Sequence, residues 1–357
     1  MITTGGTGGH VFPGLAVAAK LAARGADVFW LGTREGMEAE LVPKHGVAFE
    51  SVSFRGVRGK GLATLLLGPF ALIAACVEAL SVLRRRRPDV VLGLGGFASF
   101  PGALMAVATG RPLVLHDSNA VAGLANRVLA YGADRILLGF PDALKGAHAK
   151  IVEWTGNPLR DAIAAVPPPE RRFEGRSGPT RLLVLGGSLG AQGLNERIPS
   201  ALARFPAAAR PAVVHQAGAK HVDALKAAYR DAGVEAECVA FIDDMASRYA
   251  WADLVVARGG ALTVSELAAV GLGGLIVPLP GAIADEQTAN AEALVRAGAV
   301  ARMSQDEATP EAIAAWLSAN ATRISALDKA LAARKIGRAD AAERVASVCL
   351  ELAGARA

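Results

Sequence analysis

The sequence predicts an α/β protein made of two successive doubly wound parallel sheets, and three observations carry that prediction. At 357 residues the chain exceeds what one hydrophobic core usually holds, so two domains of ordinary size are expected. Glycine is abundant at 40 residues while aromatics make up 5%, a balance that suits glycine-rich strand-to-helix turns better than a β-sandwich. Short apolar, β-branched runs alternate with longer helical patterns through the first half, and the second half repeats the rhythm.

In the first half, strands are expected at 27–31, 90–94, 113–115 and 135–138, each nearly continuous in apolar residues, as when both faces of a strand are covered. A helix is expected over 13–24, behind the glycine loop TGGTGGH at 4–10. In the second half, strands are expected at 181–185, 212–216, 238–241, 254–257 and 274–277, with helices at 192–203 and 262–270 between them. The run VPPPERR at 166–172 and the Gly/Ser/Pro stretch ending at Pro179 continue neither a helix nor a central strand, which suits a linker. An Ala-rich helix is expected at 339–355.

The formal net charge of +5 suits anionic substrates or an anionic membrane, and without a long basic tail it does not point to nucleic acid. Cys76, Cys238 and Cys349 are odd in number and far apart, which supports neither a disulfide framework nor a zinc site and fits a reducing cytosol. The first residues, MITTG, lack the basic and apolar regions of a signal peptide, so export is not expected. Residues 62–83 are nearly uncharged apart from Glu78, approach the length of a membrane span and end in four arginines, Arg84 to Arg87. Gly68 and Pro69 interrupt them, which argues against a true span. Two readings stay open: a packed helix with a solvated basic end, or a partly exposed apolar patch with a basic rim that holds the protein at an anionic leaflet.

Glycine turns follow several strands. The loop at 4–10, the turn GLGGFAS at 93–99 and the turn GGSLGA at 186–191 each let backbone approach a phosphate closely, and a helix N-terminus presents unpaired N–H groups to negative charge. One such loop is weak support, since a tight turn also needs small residues; two opening two domains are stronger. A dinucleotide oxidoreductase would want an acid at the end of the second strand, and Glu35, just beyond it, is the one candidate. The most informative stretch is ARGGALTVSE at 257–266, where Glu266, read as lying on the first helical turn, would take two ribose hydroxyls while the 260–263 amides face phosphate. Its bland alternative is an acid favoured by the helix dipole. A polar cluster at 284–290 follows the next strand end, where ligands bind in this fold class.

These residues resemble the MurG family of UDP-N-acetylglucosamine-dependent transferases over essentially the whole chain. The resemblance rests on GGTGGHVFP (5–13), LVPKH (41–45), residues 58–61, 91–96, 123–126 and 155–160, FIDDM (241–245) and GALTVSE (260–266). It implies a GT-B fold, two Rossmann-like domains facing across a cleft. The first (1–157 with 340–357) would bind the acceptor and associate with the membrane, the second (158–339) would bind UDP-N-acetylglucosamine, and the C-terminal helix would brace the first. The implied reaction is inverting transfer of N-acetylglucosamine to the C4 hydroxyl of undecaprenyl-pyrophosphoryl N-acetylmuramyl-pentapeptide, at the cytoplasmic face of the plasma membrane, with no cofactor. By the same resemblance Glu266 would bind the ribose, the Ile242 backbone the uracil, and Ser188 with the turn Ala261, Leu262, Thr263, extended by Val264 and Ser265, the diphosphate. Gln287 and Asn119 would contact the sugar, Arg160 would help hold the donor, and Thr7, Gly8 and Gly9 would face the reacting centre.

The chain departs from the family at several positions. Asp117 and Ser118 stand where Glu and Gln are usual, Gly259 where Ser or Ala is commoner, Glu286 where His or Gln is frequent, and Gly273 where Pro is frequent. Only four residues precede Gly5, so a first strand that is short, or that lacks its start, is expected. For the base that takes the hydroxyl proton, His10 is the first candidate, since it ends the first loop and imidazole titrates near neutrality; Asp117 is the alternative. His10 could equally serve only as a hydrogen-bonding residue at the helix start. No Asp-x-Asp pair occurs, so no metal is expected, and oriented amides would carry the leaving-group charge. Alternatives are a UDP-N-acetylglucosamine epimerase of the same fold, an NAD-dependent dehydrogenase and an inactive scaffold.

Overall fold

The computed structural model describes residues 1–54, 62–141, 143–144, 151–187, 190–282 and 285–354, the side chains of 62–67 excepted. Ser188 and residues 58–61 of the sequence reading therefore lie outside the described residues. The chain forms two compact units, Met1–Arg160 with Ala339–Ala357 and Asp161–Arg338.

In chain order the first unit contains β1 (Ile2–Thr3), α1 (Gly8–Ala23), β2 (Phe29–Thr33), α2 (Glu38–Lys44), β3 (Ala48–Val52), α3 (Leu62–Arg86), β4 (Val91–Gly93), α4 (Ser99–Ala108), β5 (Leu113–Asp117), α5 (Leu124–Leu129), β6 (Arg135–Leu138) and β7 (Val152–Trp154). Its seven strands run in the order β3-β2-β1-β4-β5-β6-β7, every pair parallel. The second unit contains α6 (Asp161–Ala164), α7 (Pro169–Phe173), β8 (Arg181–Leu185), α8 (Gln192–Ala203), β9 (Ala212–Gln216), α9 (Val222–Asp231), β10 (Glu237–Val239), α10 (Met245–Trp251), β11 (Leu254–Ala257), α11 (Ala261–Val270), β12 (Gly274–Ile276), α12 (Glu286–Arg296), β13 (Val300–Arg302), α13 (Pro310–Asn320) and α14 (Arg323–Lys335). Its sheet, also parallel throughout, is ordered β10-β9-β8-β11-β12-β13. The helix α15 (Ala341–Gly354) belongs to the first unit. There Val345, Ala346, Val348 and Cys349 share a buried cluster with Val11, Leu15, Ala18 and Leu21 of α1, and Arg344 makes a two-point contact with Glu153 of β7, at 2.6 and 2.8 Å.

The doubly wound α/β expectation holds, since both sheets follow the strand reversal of that architecture about a central first strand. Three local expectations are corrected. The helix expected to begin at Pro13 begins at Gly8, so the glycine loop itself winds into α1 and Pro13 sits inside the helix. The strand expected at 238–241 is Glu237–Val239, which leaves Phe241 and Ile242 as irregular backbone beyond the strand end. Glu266 lies on the second turn of α11, whose first turn carries no acid, so the helix-dipole explanation for it fails.

Among the described residues no helix is long and apolar enough to cross a membrane. Ala75, Ala79, Val82 and Leu83 of α3 pack into the core, while Phe70, Ile73 and Val77 stand 61–70% exposed. Arg85 and Arg86 both pair with Glu50 of β3, and Arg86 also lies over the Phe29 ring at 4.7 Å. The basic end is thus partly committed within the domain.

Candidate active site

In the first unit the site gathers at the C-terminal ends of β1, β4 and β5. The loop after β1 passes through Gly6 at φ +105°, which only glycine adopts readily, and enters α1 at the N-cap Thr7 with no side-chain cap. The first-turn amides of a helix lack intrahelical partners, so Gly8 and Gly9 present N–H groups at a positive dipole end. Thr4 Oγ1 donates to the Gly95 carbonyl at 3.0 Å, and a Cβ on Gly96 would come 2.5 Å from the Gly5 carbonyl, so the loops after β1 and β4 close on one another. The His10 ring packs beneath that second loop, 3.5 Å from where a Gly95 Cβ would lie. Burial pushes the His10 pKa below its ordinary value, against a hydrogen bond to the Leu94 backbone that raises it, so the imidazole is neutral at pH 7.

Asp117 ends β5 almost wholly buried. Its carboxylate accepts from the Asn119 amide at 3.1 Å and from Asn126 Nδ2 at 2.9 Å. Burial raises its pKa while the Asn126, Asn119 and Gly123 hydrogen bonds and Arg127 lower it. Both oxygens thus accept hydrogen bonds from the segment that carries Asn119 and Asn126. His116 beside it is fully buried and donates Nε2–H to the Gly156 carbonyl at 3.0 Å; burial takes its pKa down to about 4. Arg160, at the end of this unit, lies over the Phe12 ring of α1 at 5.2 Å.

In the second unit the site gathers after β8, β10, β11 and β12. The turn from β8 is tight: a Cβ on Gly190 would strike the Ala217 carbonyl, and one on Gly186 would lie 2.6 Å from the Ala191 amide. After β11, Gly260 caps α11 through backbone alone, so the amides of Ala261, Leu262 and Thr263 have neither a side-chain cap nor an intrahelical acceptor. The ten-residue helix behind them aligns its dipole with that opening.

Glu266 is 6% exposed and its Oε2 accepts from the Tyr249 hydroxyl at 2.8 Å. Gln287, on the first turn of α12, accepts through Oε1 from the amides of Gly259 and Leu279 at 3.1 and 2.9 Å, and Asn290 Nδ2 donates to the Gly259 carbonyl at 3.1 Å. These two side chains tie the β11 and β12 loops together. Gly259 belongs to that junction, since a Cβ there would strike the Gln287 carbonyl; the Ser or Ala commoner in the family would need a shifted loop. Asp244 caps α10 by accepting from the Ser247 amide at 3.0 Å, which fixes the Ile242–Asp244 backbone after β10.

The structure thus groups Thr7, Gly8, Gly9, His10, Asp117, Asn119 and Arg160 in one unit, and Ile242, Ala261–Glu266 and Gln287 in the other. Among the described residues no cluster of three or more His, Cys, Asp or Glu side chains suits a metal ion. Sequence reasoning missed two residues. Tyr249 had no motif to mark it. Glu38, the first residue of α2, is fully buried, whereas Glu35 is exposed.

The family model of the glycosyltransferase family 28 N-terminal domain matches residues 1–138, and that of the glycosyltransferase family 28 C-terminal domain matches residues 181–345. A Burkholderia thailandensis protein named UDP-N-acetylglucosamine--N-acetylmuramyl-(pentapeptide) pyrophosphoryl-undecaprenol N-acetylglucosamine transferase is 54% identical over 99% of this chain and 96% of its own. A protein of the same name from Cupriavidus metallidurans is 52% identical over 99% and 98%. The crystal structure of Acinetobacter baumannii MurG superposes with a TM-score of 0.85 at 36% identity, covering 98% of this chain and 99% of that one. A UDP-N-acetylglucosamine 2-epimerase structure shares the fold alone, with a TM-score of 0.66 at 15% identity over 96% of this chain and 93% of that one.

Proposed function

As this chain belongs to glycosyltransferase family 28, we propose that it transfers N-acetylglucosamine from UDP-N-acetylglucosamine to the C4 hydroxyl of undecaprenyl-pyrophosphoryl N-acetylmuramyl-pentapeptide. The observation that carries this is identity above one half, across both units, to transferases of that one named activity. The chain is a hexosyltransferase of GT-B fold.

We assign the donor to the second unit. The Ala261–Thr263 amides at the start of α11 receive the UDP diphosphate, Glu266 takes ribose hydroxyls, and the irregular backbone at Ile242 pairs with the uracil edge. Gln287 Oε1 is spent on two amides, so its Nε2 is the group offered to the sugar. The acceptor belongs to the first unit, its diphosphate at the amides of Thr7–Gly9.

The acceptor C4 oxygen attacks the anomeric carbon from the face opposite UDP, the bond to the UDP oxygen breaks, and the linkage inverts to β. The hydroxyl proton passes to neutral His10, while Asp117 positions the loop beside it. Charge building on the leaving diphosphate is met by fixed amides and the α11 dipole, which need no reorganisation as the reaction proceeds. We place the enzyme peripherally at the cytoplasmic face of the plasma membrane, held by the exposed Phe70, Ile73 and Val77, with the exposed Arg84 and Arg87 following at the C-terminal end of α3.

Radiolabelled UDP-N-acetylglucosamine, incubated with and without the lipid-linked acceptor, tests this. Label should enter lipid only with acceptor present. Conversion of the nucleotide sugar without acceptor would instead favour epimerisation.

A further inference from the structure

Glu38 is a fully buried carboxylate outside every role assigned so far. It opens α2, and its head group reaches back to two other segments. Thr33, at the end of β2, donates to Oε1 from its amide at 3.0 Å and its hydroxyl at 2.7 Å. Gly6, in the loop after β1, donates its amide to Oε2 at 3.2 Å. Space for the carboxylate is made by three glycines. A Cβ on Gly5 or on Gly36 would collide with it, and one on Gly32 would lie 2.7 Å from its Cγ.

A buried carboxylate costs several kcal/mol unless hydrogen bonds repay it, so an apolar side chain in an apolar pocket is the ordinary solution for a core. This position keeps an acceptor and surrounds it with donors. One of those donors is the amide of Gly6, the residue at φ +105° that turns the loop. With that amide held, the chain enters α1 at Thr7, and its first turn has no side-chain cap.

We infer that Glu38 is the positioning residue of this loop: by fixing the Gly6 amide, it aims the Thr7–Gly9 amides at the diphosphate of the lipid-linked acceptor. The inference rests on the reading that the acceptor diphosphate binds there. Glu38 touches no substrate and acts through Gly6. In Glu38→Gln the shape stays, but an amide NH2 faces donors where an oxygen stood, so the loop loses its anchor. Gly36→Ala displaces the carboxylate without changing its chemistry, at a backbone position that tolerates alanine because its φ is not positive.

The test is steady-state kinetics with each substrate varied, using a short-chain polyprenyl diphosphate without sugar as competitor against the acceptor. In the parent the competitor should inhibit. In both variants the acceptor KM and the competitor Ki should rise about tenfold, the scale of one hydrogen bond to a charged group. The KM for UDP-N-acetylglucosamine should stay unchanged. A purely structural role would lower the melting temperature and the active fraction while leaving both KM values in place, and would overturn the inference. So would a competitor that inhibits parent and both variants equally. A competitor that fails against the parent would overturn the placement of the diphosphate, and the inference with it.

Discussion

Replacing Glu266 by Ala separates its two roles. The carboxylate is 6% exposed and bonds a tyrosine hydroxyl that is itself buried. A hydrogen bond between a charged group and a ligand is worth about 1.5–3 kcal/mol, so loss of the ribose contact should weaken UDP-N-acetylglucosamine binding about 10- to 150-fold. The same change strips the Tyr249 hydroxyl of this acceptor inside the domain, which should cost about 1–3 kcal/mol of stability. Adding Tyr249→Phe removes the stranded hydroxyl, so the double variant should regain much of the lost stability and none of the affinity. Calorimetry with UDP and with 2′-deoxy-UDP, beside thermal unfolding, reads both effects: the parent should prefer the ribonucleotide and Glu266→Ala should not. An unchanged dissociation constant, or a preserved preference for UDP, would remove Glu266 from the ribose site.

Arg172 of α7 is buried and donates to the carbonyls of Tyr249, Ala252, Val270 and Gly271, at the ends of α10 and α11; burial lowers its pKa to about 10, so it stays charged. Arg172→Ala should destabilise the second unit by about 3–5 kcal/mol in denaturant unfolding, and Arg172→Lys should not rescue it, because a single ammonium does not span four carbonyls. Folded His116 and His215, with pKa values of about 4 and about 3, stay neutral at pH values where the unfolded chain protonates them. Stability should therefore be full above about pH 6.5 and fall as pH drops toward 4, by a few kcal/mol measured by unfolding across that range. On anionic liposomes, Phe70→Ser with Ile73→Ser and Val77→Ser should abolish binding at all salt concentrations, whereas Arg84→Gln with Arg87→Gln should weaken it only at low salt. Equal binding by the triple variant would return α3 to the role of an ordinary packed helix.

The limits of the sequence reading follow from where apolar residues are needed. Central strands such as β6, β8, β9 and β11 are covered on both faces, so they appear as continuous apolar runs with correct bounds. The strands that escaped, β3, β7 and β13, are sheet edges with half-exposed sequences such as Ala-Phe-Glu-Ser-Val, and β10, misplaced by the reading, is an edge too; the inner strand β2, expected at 27–31, is Phe29–Thr33. At the site, loops announced themselves through glycines whose neighbours leave no room for a Cβ, Gly190 and Gly259 among them. What stayed hidden was the support beneath those loops. Glu38 reaches Gly6, 32 positions away, and Tyr249 reaches Glu266, 17 positions away, relations that local spacing does not encode.

The division of substrates between the two units is tested most directly by amide hydrogen exchange over the whole chain, with UDP-N-acetylglucosamine alone and with a soluble acceptor analogue alone. The donor should slow exchange at Ala261–Thr263 and around Ile242, and the acceptor analogue at Thr7–His10 and Gly95–Phe97. Donor protection at the first glycine loop, or acceptor protection at the start of α11, would contradict the assignment.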